Sequence, residues 1–398
     1  MFSDLLKPEV QSFILQHESD DLSKLILKTS DVHGVQMSKV ATQIDGRKKA
    51  KEKLPLYYNT KGIVYPAAVN IEQSSSEITA KFKSSILEKL SGRSVCVDLT
   101  GGFGVDSFFL SRVFDAVNYI EPSNDLLEIA KHNHLQLGAT NIKHHNVSAA
   151  AYLNAAYSEV DCIYLDPSRR DLHNRKVSSL TSCEPDVLEL LPSMFQRARY
   201  VLIKTSPLLD ITEALKQLEK VSHVFIVSAA NECKEVLFLL DSTFTTEPVI
   251  EAINLSSGPI SSFRFTFSEE KRYQISFSEP QEYIYEPNAS LLKAGAFKSI
   301  AARFSISKIH PSTHLYTSKN LLTDFPGKIF KVLDLVKPDP KVLRRYFPEG
   351  HANIFTRNYP LSPQELKTKS RLNDGGLGFL IGFSGLKKKY LAVAVKIS

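Results

Sequence analysis

The sequence predicts an α/β protein centred on a Rossmann-like, doubly wound sheet that is parallel except for one antiparallel terminal strand. Three observations predict it. Residues 94–107, SVCVDLTGGFGVDS, pass from a short apolar strand through a glycine turn into a helical pattern. Between residues 92 and 241 strands and helices alternate, and repeated βα units build a parallel sheet with right-handed crossovers. The last two strands of that run are joined only by residues 230–233, a hairpin-length link, so the final strand runs antiparallel.

Taken in order, residues 1–91 read as a helical region. In IEQSSSEITAKFKSSILEKL, Ser74 and Glu77 suggest a capping box, and Ile78, Phe82, Ile86 and Leu90 suggest one apolar stripe. Residues 92–245 form the sheet domain, with strands at 94–99, 116–121, 141–145, 160–165, 199–204, 222–229 and 234–241. Helices fit between them at 105–113, 123–137, 148–157, 183–196 and 208–219. Residues 246–330 read as a small α+β domain, with strands at SSFRFTFS and within 273–285. A helix at EPNASLLKAGAFKSIAARF follows, capped by Asn288 or Ser290 with Gly295 inside it. Residues 331–398 form a final basic module. A helix is expected at 328–336, a strand at 352–357, and a helix from Ser362 with Pro363 at its first position and Glu365 at its third. Two closing strands, 377–383 and 390–396, end the chain.

Composition narrows the function classes. With 398 residues, 43% hydrophobic and 23% charged, the chain can bury sizeable cores and is not disordered. No run of 18 apolar residues is present, so no membrane-spanning helix and no membrane partner are expected. MFSDLLKPEVQ lacks a basic stretch followed by an apolar one, so no signal peptide is expected. Four scattered cysteines without a C-x-x-C pair argue against zinc and disulfides and fit a reducing, cytoplasmic setting. Eleven histidines, among them His132, His134, His144 and His145, show no metal-ligand pattern, so no metal is expected. The net charge is +6, yet residues 331–398 hold 13 Lys/Arg against 5 Asp/Glu and the rest of the chain sums to −2. A basic terminal module on a near-neutral body suggests a polyanionic partner, or simply a well-solvated surface. Residues 39–61, basic and ending in LPLYYNTKGIVYP, could meet phosphates and stack bases, or be a solvated helix leading into a loop.

Ligands of open parallel sheets sit at the carboxyl ends of the strands. Asp98 ends the first strand, and Thr100, Gly101, Gly102 and Gly104 make a turn with no bulky side chain against the backbone. A dinucleotide fingerprint needs a third glycine where this chain has Ser107. The acid-then-glycine order instead resembles the first motif of class I methyltransferases that use S-adenosyl-L-methionine (SAM). In that frame Glu121, 17 residues after Gly104, can accept both ribose hydroxyls, or be an acid favoured by the helix start that follows it. Asp98 would face the methionine ammonium. Asn146 could bond the adenine amino group or hold a turn. Strand four runs into Asp166-Pro167-Ser168-Arg169-Arg170. An acid there can accept a hydrogen bond from an N–H being methylated, and Pro167 fixes the loop. Enzymes that methylate exocyclic amines carry an aromatic ring near this place; here Arg169 can stack or grip phosphate instead. Base C5 chemistry needs a cysteine near the end of strand five, where the chain has Lys204-Thr205-Ser206-Pro207, and Cys96 and Cys162 lie in buried strands.

These stretches, with EQSSSE, NECKE, EPNASLLKAGAF and NIFTRNYPLSPQELK, resemble class I SAM-dependent methyltransferases with a C-terminal THUMP-like domain. The resemblance implies SAM as cofactor, ferredoxin-like and THUMP-like α+β domains at the C-terminus, and an RNA substrate, tRNA or rRNA. Catalytic Asp166, Pro167 and Arg169 and cofactor-binding Asp98, Thr100, Gly101, Gly102, Gly104, Glu121 and Asn146 follow as expectations. Two alternatives stand beside them: the same cofactor with a protein or small-molecule acceptor, and an RNA-binding protein that no longer transfers methyl groups.

Overall fold

A computed structural model describes residues 2–155, 158–169, 180, 183–255 and 260–397. The chain divides into two compact units, Met1–Ser222 with Leu237–Thr246, and His223–Val236 with Glu247–Ser398.

The first unit contains β1 (Val95–Asp98), β2 (Ala116–Ile120), β3 (Ile142–His145), β4 (Val160–Leu165) and β5 (Ala198–Thr205). Within a residue or two at each end, these are the strands the alternation predicts. Their ladders β1–β2, β1–β4, β2–β3 and β4–β5 are all parallel. The hairpin of β6 (Val221–Ala229) and β7 (Glu232–Asp241) follows, and its two linking residues, Ala230 and Asn231, both have left-handed φ (51° and 58°). Such a turn matches the twist of paired strands. In the first unit the strand order is β7-β5-β4-β1-β2-β3. The Ser242 N–H donates to the Arg199 carbonyl (3.0 Å), placing the end of β7 beside the start of β5, so β7 is the antiparallel strand.

The N-terminal helices belong to this unit as well. Leu54, Tyr57, Ile63, Tyr65 and Ile71 pack into one core with Phe103, Val105, Phe108 and Phe109. Two side-chain amides hold the loop between them: Gln43 and Asn133 each donate to and accept from one backbone position, Tyr65 and Val64 respectively, at 2.8–2.9 Å. The capping box expected at Ser74 is displaced. Ser76 caps the helix Glu77–Leu87, and the buried face is Thr79, Phe82, Lys83 and Ile86, while Ile78 is 39% exposed and Leu90 lies past the helix end. The helix expected at 183–196 begins at Val187 under an Asp186 cap, because residues 183–184 pair with 168–169.

In the second unit β6 pairs in parallel with β8 (Val249–Leu255), which pairs antiparallel with β9 (Ser261–Phe265). A second sheet holds β10 (Tyr283–Pro287), β11 (Ser307–His310), β12 (Thr313–Ser318), β13 (Gly327–Leu335), β14 (Asn353–Arg357), β15 (Gly378–Ser384) and β16 (Lys389–Lys396), in the order β11-β12-β10-β13-β16-β15-β14. The expected helix at 328–336 is therefore strand β13. Its apolar run fits either period, and pairing with β10 and β16, which buries Ile329 and Phe330, decides for the strand. The boundary expected at 330/331 falls inside β13. Gly295 does not lie within a helix. Its φ of +74° ends the helix Ala289–Ala294, and a second helix, Phe297–Phe304, starts after it. The helix Pro363–Ser370 carries the expected capping box of Ser362 and Glu365. Among the described residues no helix is long and apolar enough to cross a membrane.

Candidate active site

The turn after β1 is built from both sides. Asp98 Oδ1 accepts the Thr100 N–H (3.0 Å), and the Gly101 N–H donates to the Ile120 carbonyl at the end of β2 (2.8 Å). A Cβ on Gly101 would lie 2.2 Å from the Tyr119 ring, and one on Gly104 would lie 2.5 Å from His134 Nε2. Those glycines let two rings approach from behind. Gly102 differs: a Cβ there would meet only the Thr100 carbonyl oxygen, at 3.9 Å, so its front is open. The helix that follows, Val105–Leu110, has six residues, shorter than the 105–113 of the sequence pattern.

Glu121, at the end of β2, is buried and bonded to this turn. Its Oε2 accepts the Gly102 N–H (2.9 Å) and its Oε1 the Ser123 N–H (2.8 Å). Asn146 donates to the Glu121 and Pro122 carbonyls (2.9 and 3.0 Å), which is the turn-holding role, and no described residue donates to its Oδ1. Asp98 is fully buried, and its Oδ2 accepts from Ser107 Oγ (2.5 Å). Burial pushes this carboxyl up to about 7, the Ser107 hydroxyl pulls it back in part, and the negative charges of Asp106 and Asp166 add to the push.

Asp166, at the end of β4, stands beside the same turn, its N–H donating to Thr100 Oγ1 (2.7 Å). Its Oδ2 accepts from Lys204 Nζ (2.5 Å), at the end of β5. Pro167 leads into the short pairing of Ser168 and Arg169 with Glu184 and Cys183. The Arg169 side chain and the whole of Arg170 lie outside the described residues. Behind the acids runs a buried polar network. Ser75 Oγ donates to Asp106 Oδ2 (2.6 Å), Tyr164 donates to the same oxygen (2.9 Å), and Lys83 Nζ lies 3.2 Å from Asp106 Oδ1. Burial works against the Asp106 carboxylate, but the Lys83 and Lys204 ammoniums outweigh it and hold Asp106 below the usual range.

The structure thus brings Asp98, Thr100, Gly102, Glu121 and Asp166 together at neighbouring strand ends and adds Ser75, Lys83, Asp106, Ser107 and Lys204, which the sequence reading missed. Lys83 had a signal: it sits one turn from Thr79 and Ile86 on a face that must be buried, where a charge requires a partner. His134 and His144 brace the turn from behind. His134 Nε2 donates to the Gly104 carbonyl (2.8 Å), so its Nδ1 accepts from His144 (2.9 Å), and burial pushes both rings down to about 4. In residues 39–61, Arg47 pairs with Glu18, Lys49 with Asp45 and Glu72, and Lys48 donates to the Asp20 carbonyl. Tyr57 is buried. Arg47, Lys48 and Lys49 are thus held by partners within the chain.

A family model described as a ferredoxin-like domain matches residues 283–326, and one described as THUMP domain-like matches 327–395. No protein of curated function matches. A crystal structure described as a "putative methyltransferase" from Porphyromonas gingivalis W83 is 30% identical, covers 100% of this chain and 99% of its own, and superimposes with a TM-score of 0.86. The chain belongs to that methyltransferase family. This chain combines the Rossmann-like sheet, the helical N-terminal region and the C-terminal ferredoxin-like and THUMP-like domains. A Streptococcus mutans protein described as a "putative methyltransferase" in complex with S-adenosylhomocysteine is 13% identical over 40% of this chain and 96% of its own, with a TM-score of 0.32.

Proposed function

We propose that the protein transfers a methyl group from SAM to a nitrogen of a base in structured RNA, of the tRNA or rRNA class, in the cytoplasm. The observation that carries the reading is the set of acids at adjacent strand ends around an open Gly102: Asp98 buried with no cation against it among the described residues, Glu121 on the turn, and Asp166 one strand over. A buried carboxyl held near neutrality for want of a positive partner suits an ammonium, and an open glycine suits close approach of a nucleoside. The donor set therefore fits SAM, which when bound supplies an electrophilic sulfonium methyl.

In this reading Asp98 takes the ammonium, Glu121 uses its remaining lone pairs for the ribose hydroxyls, and Asn146 Oδ1 accepts from the adenine amino group. The turn of Thr100, Gly101, Gly102 and Gly104 shapes the cradle. Asp166 Oδ1 accepts the acceptor N–H, orients the amine and takes over its proton. Pro167 holds this acid at the strand end, and Arg169 follows it in sequence for a base or phosphate. Nitrogen is favoured over base C5 because Cys96 is buried in β1, with its thiol pushed up by burial, and Lys204 stands where a thiol would be needed. RNA is favoured by the match of 327–395 to a THUMP-like model and by the positive surplus of residues 331–398.

The test is direct. The protein is incubated with methyl-labelled SAM and total RNA from a strain lacking it, and the RNA is digested to nucleosides. Label in one base-N-methylated nucleoside is the expected result. Label on ribose or a ring carbon, or in protein alone, overturns the assignment.

A further inference from the structure

We infer that Lys204 is a positioning residue for methyl transfer: held by Ser75, its ammonium takes one oxygen of Asp166 and leaves the other for the acceptor amine. This rests on the proposed role of Asp166.

The two residues end adjacent parallel strands in register, with Leu165 opposite Ile203, so positions 166 and 204 are cross-strand neighbours. Lys204 Nζ lies 2.5 Å from Asp166 Oδ2, and no described residue donates to Asp166 Oδ1. An exposed lysine–carboxylate pair is held loosely, since four side-chain torsions must be fixed for one contact. This lysine is not so exposed: its side chain is 13% accessible, against 28% for Asp166.

The restraint comes from Ser75, in the SSSE stretch that precedes the helix Glu77–Leu87. Its hydroxyl donates to Asp106 Oδ2 (2.6 Å) and accepts from Lys83 Nζ (2.9 Å) and Lys204 Nζ (3.3 Å). One donor and two acceptor sites are all that a hydroxyl has, so Ser75 is saturated and its orientation is fixed. Lys83 is itself buried against Asp106. The ammonium of Lys204 is thereby aimed from the buried network outward, to the carboxylate that stands at the site. The Lys204 charge also steadies Asp106, but among the described residues it is Lys83 that lies against the second oxygen of that acid, while Lys204 makes its ion pair with Asp166. What the second lysine adds is a fixed carboxylate plane, with Oδ1 presented at the strand ends where Thr100 holds the Asp166 backbone.

The experiment uses the full chain as Lys204→Met, Lys204→Arg and Ser75→Ala, each with thermal melting, SAM titration and single-turnover transfer to RNA. Lys204→Met should lower the single-turnover rate at least ~10-fold while SAM affinity and the KM for RNA stay within about twofold, a split that lost packing alone would not give. Lys204→Arg should recover part of the rate, and Ser75→Ala should lower it with the charge still present. Without RNA or turnover, the ¹⁵Nζ resonance of Lys204 should move in Asp166→Asn and in Ser75→Ala. That readout decides the matter if Lys204→Met does not fold. An unmoved resonance, or equal rates for wild type and Lys204→Met, overturns this inference alone. SAM binding without transfer by the unmutated protein overturns the proposed function, and this inference with it.

Discussion

Glu121 Oε2 accepts the Gly102 N–H at 2.9 Å, so the carboxylate that ends β2 is bonded to the turn that follows β1. Binding site and fold share one side chain. Glu121→Ala should weaken SAM binding at least ~10-fold, because a charge-assisted bidentate pair contributes about 1.5–3 kcal/mol. It should also lower the melting temperature, since the Gly102 and Ser123 N–H groups lose their acceptor. Calorimetry and thermal melting check both, and wild-type affinity in the variant would remove Glu121 from the cofactor site.

Asp98 sets a pH dependence. Its carboxyl is raised to about 7 in the folded protein from 3.8, so it binds a proton in the native state that the unfolded chain releases. Stability of the ligand-free protein from this group therefore falls as pH rises from about 4 to about 7. SAM affinity should run the other way, rising by up to ~10-fold per pH unit below about 7 and levelling above it, because only the ionised form pairs with an ammonium. Asp98→Asn should flatten the affinity profile, lose most of the affinity, and stabilise the ligand-free protein at pH 8.

Asp166→Ala should abolish transfer yet leave SAM affinity near wild type. Lys204 would keep its bond to Ser75 and the nearby Asp106 charge, so the melting temperature should change little, corresponding to about 1 kcal/mol or less. Joint loss of SAM binding and transfer would move Asp166 into the cofactor site.

Why these acids were legible, and Lys204 and Ser75 were not, follows from where the information lies. Asp98, Glu121 and Asp166 each follow an apolar run that ends at a turn, so local sequence alone puts them at strand ends. Ser75 and Lys204 are 129 residues apart, and nothing near either one announces the other. The same contrast explains the fold. β1, β2, β4 and β5 end at turns that contain Gly or Pro and carry their own signal, whereas β13 carries an ambiguous apolar run that only its partners β10 and β16 resolve.

The basic module makes a separate prediction. Lys387, Lys388 and Lys389 are exposed, as are Lys341, Arg344, Arg345, Lys369 and Arg371. Replacing residues 387–389 together by Ala should leave SAM affinity unchanged and weaken RNA binding. The log–log salt slope should fall by about 0.7 for each single-strand phosphate contact removed. An unchanged slope in a salt titration would take this cluster out of the RNA interface. Substitution is the right probe, because ending the chain near Val332 would cut β13 and delete β16 beside it.

The ferredoxin-like and THUMP-like segments meet at residues 326 and 327, yet β10 of one is zipped along its length to β13 of the other. Cloned apart, each half would present a raw row of unpaired amides and carbonyls and would be prone to stick to itself. Anyone grafting this module onto another enzyme must keep 283–396 together, along with residues 223–236 and 247–282 of the same compact unit.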